Sequence, residues 1–297
     1  MKILITGGTG FIGQALCRAL ASRQYAIWVY SRRPEEIKGL CGPQVNAIKD
    51  LAQLSEVNFD AVVNLAGESI AGGLWTNKRK QKLRHSRIQL TETLCHHLSA
   101  SVSPPPIFIS GSATGFYGNG GDQLLTEETE PANRDFAQQL CEDWEKAADL
   151  AADWQARIVK LRIGLVMGPG GGFLSPLKLP FKFGLGGRLG NGQQWMSWIS
   201  LADIVNVILF TLDHEECDGV FNAVAPNPVT NQEFTQLFAE SLGRSAILPA
   251  PEFALKLGLG ELSTLLLGGQ RAVPERLQQA GFQFQHNQLE TALKAAL

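Results

Sequence analysis

Short apolar runs alternate with longer segments whose apolar residues recur at helical spacing. Lys2–Thr6 is a β-branched run of the kind buried on both faces of a parallel sheet, and residues 11–21 follow with a helical pattern. Further strands are expected at 26–30, 45–48, 59–65, 107–110, 157–166 and 219–223. Helices are expected at 75–100, 135–152, 201–213, 231–242, 252–267 and 274–280. Strands alternating with helices imply an α/β fold, a doubly wound (Rossmann) parallel sheet with a small C-terminal substrate lobe. The expected division is 1–165 for the sheet domain and 166–297 for the lobe, lid and C-terminal region, with 199–225 returning to the sheet.

Between the first strand and the first helix stand Gly7, Gly10 and Gly13. Gly7 permits a tight turn, Gly10 lets backbone N–H groups approach a pyrophosphate, and Gly13 lets the helix pack on the strand. Thr9, Phe11 and Ile12 complete this dinucleotide-binding loop, for which the competing reading is an ordinary glycine-rich turn. The second strand ends in Ser31-Arg32-Arg33, where an NAD-selective site carries a carboxylate. Hydroxyl and guanidinium groups bind a 2′-phosphate that a carboxylate would repel, which favours NADP(H), with NAD(H) as the alternative. Arg32 and Arg33 could equally be read as solubilising a loop.

The fourth strand runs into Asn64-Leu65-Ala66-Gly67-Glu68, small enough for a cofactor to cross the sheet edge. Lys78, Arg79, Lys80, Lys82, Arg84 and Arg87 crowd the start of the next helix and read best as a solvated face, while Ser86 and Arg87 are placed to meet the cofactor. Ser110 and Ser112 stand at the end of the fifth strand, where a substrate carbonyl would meet a nicotinamide, although a Ser/Thr/Gly turn explains the same residues. Residues 168–198 are rich in Gly, Pro and aromatics, which reads either as a mobile lid or as core.

Composition narrows the function. A net charge of −2 gives no electrostatic case for nucleic acid or a membrane surface, and the partner expected is a small-molecule substrate. Five cysteines without a CxxC pair suggest reduced thiols, and no metal site is readable. Met1 stands one residue before the first strand, which leaves no room for a signal peptide, so a cytoplasmic location is expected. The long 75–100 helix could also build a homodimer face.

Four stretches together resemble the extended short-chain dehydrogenase/reductase family, the NAD(P)-dependent epimerases and dehydratases: 6–13, 64–67, 110–118 and 161–169. Further marks are Cys141-x-x-Trp144-Glu145, residues 184–198 and Gly269-Gln-Arg271, which are similar to the atypical epimerase-family proteins of the YfcH type across the whole chain. The resemblance implies a doubly wound domain with bound NADP and supplies no substrate.

One departure matters. The wider family uses Tyr-x-x-x-Lys, with both side chains on one helix face and the cation lowering the phenol pKa. The only tyrosines here are Tyr25, Tyr30 and Tyr117, and none has Lys four residues on. Cys141 and Glu145 occupy that spacing, and a thiol beside a carboxylate has a raised pKa. Ser112 matches the family's catalytic Ser or Thr, Tyr117 is the nearest phenol, and Arg162 or Lys160 is the candidate cation. The expected function is an NADP(H)-binding oxidoreductase or epimerase acting on a carbonyl or hydroxyl substrate, a nucleotide sugar among them. The alternative is a non-catalytic NADP(H) sensor.

Overall fold

A computed structural model describes all residues, 1–297. Seven parallel strands form the central sheet: β1 (Lys2–Thr6), β2 (Ala26–Tyr30), β3 (Asn46–Ile48), β4 (Ala61–Asn64), β5 (Ile107–Ala113), β6 (Arg157–Ile163) and β7 (Gly219–Ala223). Their order is β3-β2-β1-β4-β5-β6-β7, so the winding direction reverses between β1 and β4. Ligands of doubly wound sheets bind beyond the carboxyl ends of the strands at such a reversal.

Successive side chains of β1 point to opposite faces, and both faces are covered. Ile3 and Ile5 enter a core with Leu16 and Leu20 of α1 (Phe11–Ser22), whereas Leu4 enters another below the helices that follow β4. Those are α2 (Asn77–Arg84) and α3 (Leu90–Ser99), joined through one π turn at His85–Gln89, and then α4 (Phe136–Ala148). α5 (Leu201–Asp213) lies beside α1, supplying Ile204 and Ile208 to the first core.

The expected 157–166 strand breaks at Gly164, where a Cβ would sit 2.6 Å from the Ser197 carbonyl oxygen. Residues Leu165–Gly168 join a separate three-stranded sheet with Trp198–Ser200 and Gly171–Gly172. With α6 (Asn231–Ser241) and α7 (Leu289–Ala296) this forms the C-terminal lobe around Trp198, Phe181, Phe234 and Phe238. The 168–198 segment is therefore no structureless lid. It contains the helix Ser175–Lys182, and Phe181 and Trp198 are core; Phe183 is the aromatic left exposed. The lobe interleaves with the sheet, since α5, β7 and the side chains of Leu277 and Phe282 pack into the first core. No helix is long and apolar enough to cross a membrane.

Helix α1 can meet its strand only because position 13 has no side chain: a Cβ on Gly13 would lie 2.3 Å from the Gly7 carbonyl oxygen and 2.6 Å from Gly8 Cα. Both obstacles are backbone, so Gly13→Ala should cost about 1–3 kcal/mol of stability. Urea denaturation of the variant beside the wild type checks this, and an unchanged midpoint would contradict it.

Candidate cofactor and substrate site

The loop after β1 is a tight glycine turn into the N-terminus of α1. Gly7 takes a left-handed φ of 71°, and a Cβ there would meet the Leu65 carbonyl oxygen at 2.6 Å. Gly10 caps α1 without a side-chain acceptor, and the first turn carries no acidic residue. Helix-end N–H groups and their partial positive charge are thus not consumed by a side chain of this loop. The Thr9 carbonyl accepts from Gln14 Nε2 at 2.8 Å, which fixes the loop to its own helix. Phe11 turns its ring toward Gly171 and Gly172, where added Cβ atoms would lie 2.5 and 2.6 Å from it, and so packs the lobe against the loop.

Beside this loop, the end of β2 exposes Arg32, whose side chain is 76% exposed and pairs with Glu68 at 2.9 Å. The Ser31 hydroxyl accepts the Arg33 N–H, and Arg33 turns away to Glu36 at 2.9 Å. Glu68 also meets Lys82 at 3.3 Å and Arg79 at 3.5 Å, and Arg32 with Lys82 holds its carboxyl below the usual carboxylate range. The Glu68 N–H donates to Ser86, and the Glu68 carbonyl accepts from Arg87 at 2.8 Å.

Behind the edge, buried polar groups are spent on one another. Asn64 accepts from Thr6 Oγ1 at 2.6 Å and donates to Thr91 Oγ1 at 2.8 Å and Ser110 Oγ at 3.3 Å. Thr6 Oγ1 in turn accepts the Ala66 N–H at 3.2 Å. This network ties β1, β4, β5 and α3 together at the carboxyl end of the sheet.

The end of β5 holds a second network. Parallel register puts Ser112 beside Arg162 of β6. The Arg162 guanidinium grips Glu145 of α4 with two bonds, Nε to Oε1 at 2.9 Å and Nη2 to Oε2 at 3.0 Å, and both side chains are buried. Burial opposes the Arg162 charge, but the Glu145 carboxylate more than offsets it, with help from Tyr117, and the guanidinium pKa is raised. Ser112 donates to Glu145 Oε1 at 2.7 Å. Arg162 Nη1 donates to the Tyr117 oxygen at 3.0 Å, and Tyr117 donates to Asn222 Oδ1 of β7 at 2.7 Å. Burial pushes the Tyr117 phenol above its ordinary pKa. Cys141, one turn before Glu145, is pushed up to about 12 by burial and then by Glu145. Ser112 is itself buried, and its proton is committed to the Glu145 carboxylate, which leaves its oxygen lone pairs as the remaining acceptor.

The family model for the NAD dependent epimerase/dehydratase family matches residues 3–223. The chain belongs to that family. A domain of unknown function (DUF1731) matches residues 250–296. The epimerase family protein ML0860 of Mycobacterium leprae is 40% identical over 298 residues, covering 99% of this chain and 95% of that protein. The epimerase family protein SDR39U1 of Homo sapiens is 34% identical over 297 residues, with 99% of each chain covered. The crystal structure of human epimerase family protein SDR39U1 (isoform2) with NADPH superposes with a TM-score of 0.89 at 33% identity, covering 99% of this chain and 98% of that one. UDP-glucuronic acid 4-epimerase from Bacillus cereus, in complex with UDP-glucuronic acid and NAD, has a TM-score of 0.79 at 19% identity, with 99% and 97% of the chains covered, and shares the fold.

In this family member the loop 7–13, the end of β2, residues 64–68 and the end of β5 converge on one edge, as their positions in the sequence suggest. Several side chains expected to touch a ligand are engaged elsewhere. Asn64 and Ser110 belong to the buried network, Arg33 belongs to Glu36, and Ser86 is held by the Glu68 N–H and the Leu83 carbonyl. Arg162 is spent on Glu145, and Tyr117 is fully buried with its proton given to Asn222, so neither faces a substrate. Lys160 pairs with Asp149 and is not the cation beside Tyr117. Leu65, Ala66 and Gly67 stay at the edge through their backbone, with Gly67 leaving room for Arg87, whose Cζ would lie 2.9 Å from an added Cβ. Sequence reasoning missed the Arg162–Glu145 pair, the Ser112–Glu145 bond and the contacts of Arg79 and Lys82 with Glu68. Trp144 was also missed as a floor residue: a Cβ on Gly111 would come 3.2 Å from its ring. The Cys141–Glu145 spacing was the one available signal.

Removing the Glu145 carboxylate would strand a buried guanidinium, so Glu145→Ala should cost about 3–5 kcal/mol and Glu145→Gln less, measured by urea denaturation. A second test concerns Glu127, whose Oε1 accepts the Asn222 N–H at 2.9 Å while its buried Oε2 has no partner. Burial raises its pKa, against backbone N–H donors that lower it. A raised folded-state pKa means that stability is present at acid pH and lost as pH rises through the folded value. The stability of Glu127→Gln relative to wild type should therefore increase as pH rises above about 4, the ordinary glutamate value, and a pH-independent difference would contradict this.

Proposed function

We propose that this chain is an NADP(H)-dependent oxidoreductase or epimerase acting on a carbonyl or hydroxyl substrate, with a nucleotide sugar as one candidate. The observation that carries the cofactor choice is Arg32, exposed at the end of β2 where the strand offers no carboxylate of its own. The uncapped N-terminus of α1 fits a pyrophosphate, and the NADPH in the human SDR39U1 crystal structure supports the same choice. NAD(H) is the alternative cofactor.

In this reading the backbone N–H groups around Gly10, Phe11 and Ile12 hold the pyrophosphate, while Ser31 and Arg32 hold the 2′-phosphate. A nicotinamide bound at this edge supplies a hydride donor or acceptor. Glu145 fixes the Ser112 proton, so that Ser112 receives a hydrogen bond from a substrate hydroxyl through its oxygen lone pairs. Tyr117 is a positioning residue that holds Arg162 and, through it, Glu145. All five cysteines are free and buried, which suits a reducing compartment such as the cytoplasm.

A non-catalytic NADP(H) sensor is the second reading, favoured by the enclosure of Tyr117 and the lack of a Tyr-x-x-x-Lys pair. Binding titrations and a carbonyl panel separate the two. NADPH should bind at least about tenfold more tightly than NADH, the worth of one charge-assisted phosphate contact, and Arg32→Ala should sharply reduce the difference. Equal affinities in the wild type would overturn the cofactor choice. Oxidation of bound NADPH by any carbonyl of the panel establishes the enzyme, whereas inertness toward all of them favours the sensor.

A further inference from the structure

Six basic residues at the start of the α2 region read from sequence as a solvated face, and the structure divides them. Lys80 pairs with Glu261 at 2.5 Å and Arg84 with Asp143 at 2.7 Å, each having its own carboxylate. Arg79 and Lys82 instead turn to Glu68, whose Oε1 also holds Arg32. For these three cations Glu68 is the only carboxylate within ion-pair distance. One negative charge therefore gathers three positive ones, leaving two in excess at the end of β2. Arg87 adds a fourth cation just behind, bonded to the Glu68 carbonyl at 2.8 Å.

Such crowding is costly without an anion, because like charges a few ångströms apart repel. Arg79 also keeps a buried Nε with no acceptor, although another of its nitrogens bonds the Ser69 carbonyl. A phosphate monoester carries about −1.5 to −2 charge near neutral pH and three acceptor oxygens, which matches both the excess charge and the number of converging donors.

We propose that Arg79 and Lys82 of α2 complete the 2′-phosphate site with Arg32, and that Glu68 is the clamp that keeps the three cations converged. The proposal rests on the NADP(H) reading. It adds to it that cofactor choice is set by a helix far along the chain as well as by the end of β2. The bland alternative is that the cluster only cross-links the loop after β4 to α2.

Lys82 carries the test, because its side chain is 55% exposed and its loss leaves the fold intact, whereas Arg79 also supports the loop. Dissociation constants for NADPH and NADH would be measured by fluorescence titration for wild type, Lys82→Gln, Lys82→Glu and Arg32→Ala. The fragments 2′-AMP and adenosine would be titrated in parallel, since they report the phosphate without the nicotinamide. Lys82→Gln should weaken NADPH and 2′-AMP about tenfold and leave NADH and adenosine unchanged, with a larger loss in Lys82→Glu. Raising salt should shrink the difference between wild type and variant. If Lys82→Gln binds NADPH like wild type while Arg32→Ala still loses the preference, the proposed role of α2 is overturned and the cofactor reading stands. If Lys82→Gln weakens NADPH and NADH equally, the cluster is a structural cross-link and the proposal is again overturned. A wild type that does not prefer NADPH would overturn the cofactor reading itself.

Discussion

A guanidinium inside a protein needs a carboxylate, and that requirement organises the carboxyl end of this sheet. Arg162 projects from β6 into a site closed to solvent, and Glu145 meets it from α4 with two parallel bonds. Everything around the pair is oriented by it. Ser112 of β5 gives its proton to the carboxylate, and Tyr117 receives a bond from the guanidinium and passes its own proton to Asn222 of β7. Three neighbouring strands and one helix are thus locked by charge-assisted bonds at the place where the wider family keeps a Tyr–Lys pair. The substitution inverts the local electrostatics: a carboxylate stands on the helix where the usual chemistry wants a cation, and the nearby thiol is pushed up to about 12. Tyr117, buried and raised in pKa, is thus not an acidified phenol.

The opposite side of the edge works in the contrary sense. Charges at the arginine–glutamate pair are matched and buried, whereas those around Arg32 are partly exposed and unmatched. The uncapped start of α1 adds partial positive charge nearby without a side chain to consume it. Matched and mismatched regions lie along one sheet edge, so the first holds the fold while the second keeps positive charge in excess. Burial decides which is which: Arg162 is enclosed by Phe116 and Tyr117, with its Cζ 3.3 Å from the Phe116 ring centroid, while Arg32 projects outward.

Much of this was legible in the sequence, because the strands are short apolar runs and the glycine loop sits between a strand and a helix. The seven strands fall where the runs are, with ends displaced by up to three residues: β4 covers Ala61–Asn64 within the expected 59–65, and β5 runs on from 110 to Ala113. One larger departure has a local cause. The 157–166 run looks like one strand, yet Gly164 lets the backbone come against Ser197 and leave the sheet. Residues 168–198 read either as a lid or as core, and Phe181 and Trp198 bury themselves in the lobe. Side-chain partnerships were less legible. Glu145 and Arg162 are joined across a helix–strand connection, and Ser112 meets Arg162 only through parallel register, neither of which leaves a local pattern. Likewise a row of lysines and arginines on a helix carries no sign of which ones will share a single glutamate 11 or 14 residues upstream.

The central claim is that the edge between β1, β2 and α2 recognises a phosphate monoester. Its most direct measurement is a ³¹P NMR pH titration of NADPH bound to the protein, read at the 2′-phosphate resonance. Free phosphate monoesters take up a proton near pH 6, and a dianion held by several cations should do so at distinctly lower pH. A bound resonance that stays in its dianionic position well below that pH is the predicted result. A bound 2′-phosphate that titrates as it does in free NADPH would contradict the account.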